Sequence, residues 1–171
     1  MWMCALLVGL GSLSSWAQED YNMCKAMAKI MDNHPRHFQD VAGDPIMEEP
    51  YHYRASFELP GAIESNITID ERNEDDPETE YYTVVGRYPR ADEAAYAKQY
   101  RTLIEQAKAC DFFLYWQETD HVKFPTSKVP LADQGRHTFK HNEWGHHVQL
   151  TVGLAPNGDN VDVYVLFAAW H

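Results

Sequence analysis

The sequence has few basic residues and a marked excess of acidic ones. Lys and Arg total 14 against 26 Asp and Glu, which gives a formal net charge of −12. Nucleic acids and anionic membrane surfaces are themselves negative, so a chain this acidic is poorly suited to bind them. We therefore expect no nucleic-acid partner.

The sequence also lacks the short motifs that mark common catalytic sites. It contains no Gly-x-Ser-x-Gly, no His-Glu-x-x-His and no glycine-rich phosphate loop after a strand. Acidic residues are so frequent that a pair of carboxylates identifies nothing by itself. We predict no catalytic residue and no cofactor, and an enzyme with an unrecognised site remains an alternative hypothesis.

No apolar run is long enough to span a bilayer as a helix. The first 17 residues carry no charge and resemble the apolar core of a secretory signal, although the usual basic start is missing. Ser15 and Ala17 are small residues at the −3 and −1 positions of a cut before Gln18. We predict a signal peptide over residues 1–17 and a single α+β domain over residues 18–171. The alternative is a buried N-terminal helix.

That prediction places the mature chain outside the cytoplasm, in the periplasm or secreted, with no stable membrane insertion after the leader is removed. Cysteine is scarce, with three residues in all, and Cys4 leaves with the leader. Cys24 and Cys110 are then able to form one disulfide in an oxidising compartment. The alternative is two buried free thiols, which behave as small apolar residues.

Two segments have the apolar spacing of amphipathic helices. The first covers residues 20–33 and ends before Pro35, and the second covers residues 91–110. In the second helix, Asp92 and Glu93 in the first turn and Lys108 in the last turn complement the helix dipole. The apolar stripe of the first helix consists of Met23, Met27, Ile30 and Met31, and that of the second of Ala94, Ala97, Tyr100, Ile104 and Ala107.

Between and after the helices, apolar and polar residues alternate with the period of β-strands. The pattern predicts strands over residues 51–59, 63–70, 81–88, 112–117, 136–141, 147–154 and 161–170. Gly43, Asp44 and Pro45 are typical of a loop. Pro156-Asn157-Gly158-Asp159 is typical of a hairpin turn.

This order predicts an α+β fold with helix-βββ-helix-βββ order and an antiparallel sheet with two helices packed on one face. If the helices run antiparallel, Cys24 near the start of one meets Cys110 at the end of the other. The packing and the disulfide predictions therefore support each other.

Several short segments together resemble a group of small exported bacterial α+β proteins of unknown function. These are the helix with a cysteine near its start, residues 38–43 (FQDVAG), the break at residues 59–62 (LPGA) and the Tyr-containing helix that ends in Cys110. The layout is similar to that of type III secretion chaperones. The resemblance implies a fold and a compartment, and it implies no functional residue.

Nine histidines are unusual for a chain of this length. The densest group, His137, His141, His146 and His147, is a candidate metal site because imidazole is a common metal ligand. In a strand, His137 and His141 lie about 13 Å apart along the chain, so one ion needs a turn to bring ligands together. The alternative is a set of exposed strand histidines.

Aromatic residues make up 13% of the chain, and strand alternation directs several of them away from the core. Exposed aromatic side chains on a sheet suit a recognition surface. The candidates for such a surface are Tyr82, Tyr115, Trp144 and Trp170. The alternative is that they pack beneath the helices or at a sheet edge.

The leading hypothesis is an exported, non-enzymatic interaction protein. It would bind another protein or a second copy of itself through the open sheet face or the hairpin that carries Trp144. A histidine-based metal-binding protein is the second hypothesis.

Overall fold

A computed structural model describes residues 14–33, 38–47, 51–70, 78–110, 116–120, 135–141 and 148–169. These residues form two α-helices and eight strands, and a short 3-10 turn, Gln39–Val41, precedes the first strand. In chain order the elements are α1 (Ser14–Met31), β1 (Ala42–Pro45), β2 (His52–Ala55), β3 (Glu64–Asp70), β4 (Glu78–Pro89), α2 (Glu93–Lys108), β5 (Trp116–Asp120), β6 (Arg136–His141), β7 (Val148–Asn157) and β8 (Asn160–Ala169).

All eight strands belong to one antiparallel sheet with the order β1-β2-β3-β4-β8-β7-β6-β5. Each group of four consecutive strands is a meander, and the two meanders meet where β4 pairs with β8. This central pair is also among the longest, with partners from Thr79↔Ala169 to Pro89↔Asn160. Gly158 has a φ of 57° in the turn between β7 and β8, so the predicted hairpin turn is confirmed.

The prediction of an α+β fold with helix-βββ-helix-βββ order is wrong. The described part of the chain is dominated by its sheet, with 50% strand against 28% helix, and four described strands follow each helix. The first half contains an additional strand, β1, built from residues that the sequence assigns to a loop. Gly, Asp and Pro are disfavoured inside sheets, but an edge strand has a partner on one side only and tolerates them.

Helix α2 forms where its sequence signals predict. The side chain of Asp92 caps the helix by accepting a hydrogen bond from the Ala95 amide at 3.2 Å, and Lys108 lies in the last turn. The buried stripe differs slightly from the prediction, because Ala94 is exposed. The buried side chains of α2 are Tyr96, Ala97, Tyr100, Leu103, Ile104 and Ala107.

A single core cluster lies between the two helices and one face of the sheet. It contains the predicted methionine and isoleucine stripe of α1, the buried stripe of α2 and alternate residues of β4, β7 and β8. Tyr81, Leu150 and Phe167 are among the side chains with no exposed surface. The hydroxyl of Tyr81 donates a hydrogen bond to the Phe57 carbonyl at 2.5 Å, which satisfies its polar group inside the core.

The predicted disulfide between Cys24 and Cys110 is confirmed. It joins α1 to Cys110, two residues after the end of α2, with a Cα–Cα distance of 5.3 Å. The bond closes a long segment of chain, because 86 positions separate the two cysteines. It therefore fixes the two helices to each other on the same side of the sheet.

Candidate functional site

The two faces of the sheet are in different environments. Both helices share the core cluster with one face, and no described helix covers the other, which we call the open face. Alternation along β4 directs Tyr81 into the core and Tyr82 onto the open face. The open face is therefore the part of the described structure in which polar and aromatic side chains are available for binding.

Exposure on the open face is uneven. Toward β6 and β7, Thr138 and Thr151 are buried, and their hydroxyl groups are hydrogen-bonded to each other at 3.1 Å. Toward β2 and β3 the side chains become accessible: Asn66 is half-buried and Arg54 is exposed. The accessible part of the open face thus lies over β8, β4, β3 and β2.

One row of side chains crosses this accessible part from strand to strand. The register pairs Arg54 with Asn66, Asn66 with Tyr82, and Tyr82 with Leu166. Neighbouring strands lie about 4.8 Å apart, so these four side chains form a continuous strip. A cation, an amide, a phenol and an aliphatic group are thereby presented side by side.

Two tyrosines pack together next to this strip. The rings of Tyr82 and Tyr164 have centroids 5.1 Å apart and are inclined by 34°. Gly153 is the register partner of Tyr164, and a Cβ built on Gly153 would lie 2.6 Å from Cε1 of the tyrosine ring. Only glycine at this position lets the Tyr164 ring lie against the backbone of β7.

A charged network borders the tyrosine pair. Arg87 Nε donates to Asp162 Oδ1 at 2.6 Å, and Arg87 Nη2 donates to Asp162 Oδ2 at 2.9 Å. Asn157 Nδ2 donates to Asp162 Oδ2 at 2.8 Å. Glu64 Oε2 lies 3.7 Å from Arg87 Nη2, and Glu64 Oε1 accepts a hydrogen bond from Asn66 at 3.0 Å.

These contacts shift the pKa values of the groups involved. Burial favours a raised pKa at Asp162, but the hydrogen bonds from Arg87 and Asn157 outweigh it and hold the pKa of the carboxyl below 3.8. Burial, and then the charge of Asp162, raise the pKa of Tyr82 to about 12. At neutral pH the site therefore combines a fixed ion pair with a tyrosine that retains its proton.

A cleft of about 480 Å³ opens beside the strip, between the end of β2 and the start of β3. Its volume falls within the range of small-molecule sites, about 300–1,000 Å³. The cleft combines charged, polar and aliphatic side chains. Its lining residues are Ile46, Arg54, Ala55, Glu58, Ile63, Glu64, Ser65 and Asn66.

The structure locates part of the predicted aromatic surface. Tyr82 lies on the open face, half-buried against Tyr164. Tyr115, Trp144 and Trp170 lie outside the described residues. The hypothesis of an aromatic recognition surface therefore rests on Tyr82 and on its neighbour Tyr164.

The predicted histidine cluster is only partly described. His137 lies on the helix-covered face of β6, where 4% of its surface is exposed and its ring packs against Phe139 with centroids 4.8 Å apart. His141 ends the same strand, while His146 and His147 lie outside the described residues. Within the described ranges, no group of three or more His, Cys, Asp or Glu residues is arranged to hold a metal ion. Metal binding by this cluster stays a prediction.

Sequence reasoning did not identify Tyr164, Gly153 or the Arg87–Asp162 pair. Alternation does place Tyr164 on the face opposite Val163 and Val165, and a lone glycine inside an apolar strand indicates close approach of another group. These two signals together would have indicated Gly153 and Tyr164. The ion pair joins residues far apart in sequence, and only the pairing of β4 with β8 reveals it.

Comparisons with known proteins do not extend this description. No family model, no curated protein and no solved structure matches the chain. Nothing in these comparisons therefore bears on the resemblance to type III secretion chaperones. Neither helix, within the residues described, is long and apolar enough to cross a membrane.

Proposed function

We propose that this chain is a non-enzymatic interaction protein that docks a second copy of itself on the open face. The observation that carries the proposal is the unequal covering of the sheet. The described helices pack on one face, while Tyr82, Tyr164 and Leu166 stay partly accessible on the other. Aromatic and aliphatic groups flanked by charges are typical of the core and rim of protein interfaces.

The charge distribution favours a second copy as the partner. The chain as a whole carries −12, so most of its surface repels another copy. On the open face the register instead places basic and acidic residues in nearly equal number. By register, the basic residues of this face are Arg54, Arg87, Arg136 and Lys140, and the acidic ones are Glu64, Asp70, Glu78, Glu80 and Asp162. A face with nearly balanced charges lacks the net repulsion of the rest of the surface, so it permits the close approach of a second copy.

Two such faces would pack as layers about 10 Å apart. The tyrosine pair would supply buried area with little loss of side-chain freedom, since a tyrosine has few rotatable bonds. Outside the open face, the surfaces of the two copies are acidic and repel each other, and added salt would screen this repulsion. Self-association through the open face is therefore expected to strengthen with ionic strength.

Analytical ultracentrifugation of the full chain at rising protein and salt concentrations tests this proposal. We expect a dimer that Leu166→Lys abolishes, because the variant places a charge at the apolar end of the accessible strip, next to the tyrosine pair. Ala94→Lys on the exposed side of α2 is the matched control, and it should leave the dimer intact. Circular dichroism verifies that both variants fold. A chain that stays monomeric under all these conditions would overturn the proposal.

A complex with another protein is a distinct outcome. If the chain purifies from its own cells with a partner that Leu166→Lys releases and Ala94→Lys retains, the open face is a docking surface for that partner and the dimer is not its function. Loss of the partner in both variants would point to a different surface.

We also propose that the protein acts outside the cytoplasm. The disulfide between Cys24 and Cys110 is compatible with an oxidising compartment, and the first 17 residues have the composition of a secretory leader. The predicted cut before Gln18 falls within the first turns of α1. Intact mass measurement of the protein from its own cells should give a chain that begins at Gln18. A full-length chain in which Cys24 and Cys110 are free thiols would contradict export.

A further inference from the structure

The cleft between β2 and β3 contains two opposite charges that do not neutralise each other. Arg54 and Glu58 both line it and are both exposed. Within the part of the chain that the structure describes, neither side chain forms an ion pair or a side-chain hydrogen bond. An arginine with no acidic partner is notable in a chain with 26 acidic and 14 basic residues.

The other acidic residue of the cleft is already engaged. One carboxylate oxygen of Glu64 accepts from Asn66 at 3.0 Å, and the other lies 3.7 Å from Arg87. Arg54 and Glu58 are therefore the charges that a ligand would meet unpaired. Ile46 and Ile63 add aliphatic walls, and 55% of the Ile63 surface is exposed.

This combination selects against ligands of a single charge. An anion attracted by Arg54 meets the carboxylates of Glu58 and Glu64, and a cation attracted by Glu58 meets Arg54. A ligand that carries both charges satisfies both groups at once. The apolar walls further favour a ligand with an aliphatic side chain between its charged ends.

The chain separation sets an upper limit on the distance between the two residues that carry these charges. Arg54 and Glu58 are four residues apart in the chain, which limits their Cα separation to about 14 Å. A tripeptide spans about 10 Å, whereas the ammonium and carboxylate of a free amino acid are on one carbon. The volume of about 480 Å³ also exceeds what a single amino acid fills.

We propose that this cleft binds a short free peptide with an aliphatic side chain. Its terminal carboxylate pairs with Arg54, its terminal ammonium pairs with Glu58, and its side chain lies against Ile46 and Ile63. A guanidinium group binds a carboxylate through two parallel hydrogen bonds, and this bidentate geometry fixes the orientation of the peptide. The cleft shares Arg54 and Asn66 with the accessible strip, but peptide binding does not require self-association, because it uses neither Leu166 nor the tyrosine pair.

Isothermal titration calorimetry of the full chain with the tripeptide leucyl-glycyl-leucine tests the proposal. We expect saturable binding, with affinity about tenfold lower in Arg54→Met and in Glu58→Gln. Lys98→Met and Glu93→Gln are matched controls, because each removes the same charge from an exposed position on α2. Both controls should bind the peptide as the unchanged protein does.

A second set of measurements uses the unchanged protein, so that no folding defect can mimic the result. The N-acetylated and C-amidated forms of the tripeptide should each bind about tenfold more weakly, and free leucine should bind more weakly than the tripeptide. Equal affinity for the free and blocked peptides would overturn the proposal, since an apolar groove would explain it. Failure to bind at millimolar peptide, or unchanged affinity in Arg54→Met, would also overturn it.

Discussion

Arg87 and Asp162 form a bidentate ion pair that joins the two halves of the sheet. They are register partners on β4 and β8, and their atoms meet at 2.6 and 2.9 Å. Asp162 is 5% exposed, so its charge lies largely out of water and depends on Arg87 and Asn157 for compensation. This pair is a charged side-chain contact across the boundary between the two meanders.

The ion pair makes the stability of the protein depend on pH in the acid range. Burial alone would raise the pKa of Asp162, but its hydrogen-bond donors hold it below 3.8 in the folded state. The unfolded chain therefore binds a proton at a higher pH than the folded chain does. The stabilisation is fully present above pH 3.8 and is lost as the pH falls through the folded pKa.

We expect Asp162→Asn to lower the urea midpoint at neutral pH and to lower it less as the pH falls below 3.8. Equilibrium urea unfolding across this range measures the difference. Asp44→Asn on the exposed edge strand is the control and should show a small difference at every pH. If the urea midpoints of Asp162→Asn and the unchanged protein differ by the same amount at every pH, the lowered pKa assigned to Asp162 is wrong.

The buried tyrosines predict a second pH dependence at the alkaline end. Burial is the main cause that raises the pKa of both Tyr81 and Tyr82 to about 12. Between pH 10 and 12 the unfolded chain loses these protons while the folded chain keeps them, so stability falls as the pH rises. Spectrophotometric titration should show a late tyrosinate component that Tyr82→Phe reduces. If all tyrosines of the folded protein have titrated near pH 10, Tyr81 and Tyr82 are not in a buried environment that raises their pKa.

Loss of the disulfide should destabilise the protein without changing its fold. For a separation of 86 residues, chain entropy sets an upper value of about 4.5 kcal/mol, and about 2–4 kcal/mol is typical. We expect the double variant Cys24→Ser/Cys110→Ser to lose stability in this range. Reductant should destabilise the unchanged protein similarly and leave the double variant unaffected. If reductant destabilises the unchanged protein and the double variant equally, Cys24 and Cys110 do not form a disulfide.

Because Gly153 and Tyr164 are in contact, we expect substitutions at these two positions to have non-additive effects on stability. Gly153→Ala places a methyl group against the tyrosine ring and should cost about 1–3 kcal/mol of stability, as overpacking does. In a Tyr164→Ala background the methyl group finds space, so the cost should shrink. A double-mutant cycle of urea unfolding measures this coupling. An identical cost in both backgrounds would show that the ring does not press on Gly153.

Local signals in the sequence predict most individual elements. Helix α2 combines regular apolar spacing with a capping aspartate, Asp92, and strands such as β7 and β8 have an apolar residue at every second position. These signals depend on neighbours in the chain, so the sequence alone contains them. The disulfide was also predictable, because only Cys24 and Cys110 remain after the predicted leader is removed.

The fold class was not predictable from the same signals. Strand β1 consists of Ala42, Gly43, Asp44 and Pro45, and their local preference for a loop is overridden by pairing with β2 at the sheet edge. The order of strands depends on the pairing of β4 with β8, which no local pattern encodes. The tyrosine pair and the Arg87–Asp162 contact depend on that pairing. Because no local pattern encodes the pairing, the sequence alone did not predict the centre of the candidate site.

The position of β8 also constrains the order in which the protein is able to fold. It follows every other described strand in the chain, yet it lies in the middle of the sheet, and Thr79 meets Ala169 across 90 positions. Until β8 is synthesised, β4 and β7 each expose an unpaired apolar edge. Contacts of such high sequence separation form slowly, and unpaired edges promote aggregation. During synthesis, therefore, a chaperone would protect the nascent chain most in the interval before β8 is complete.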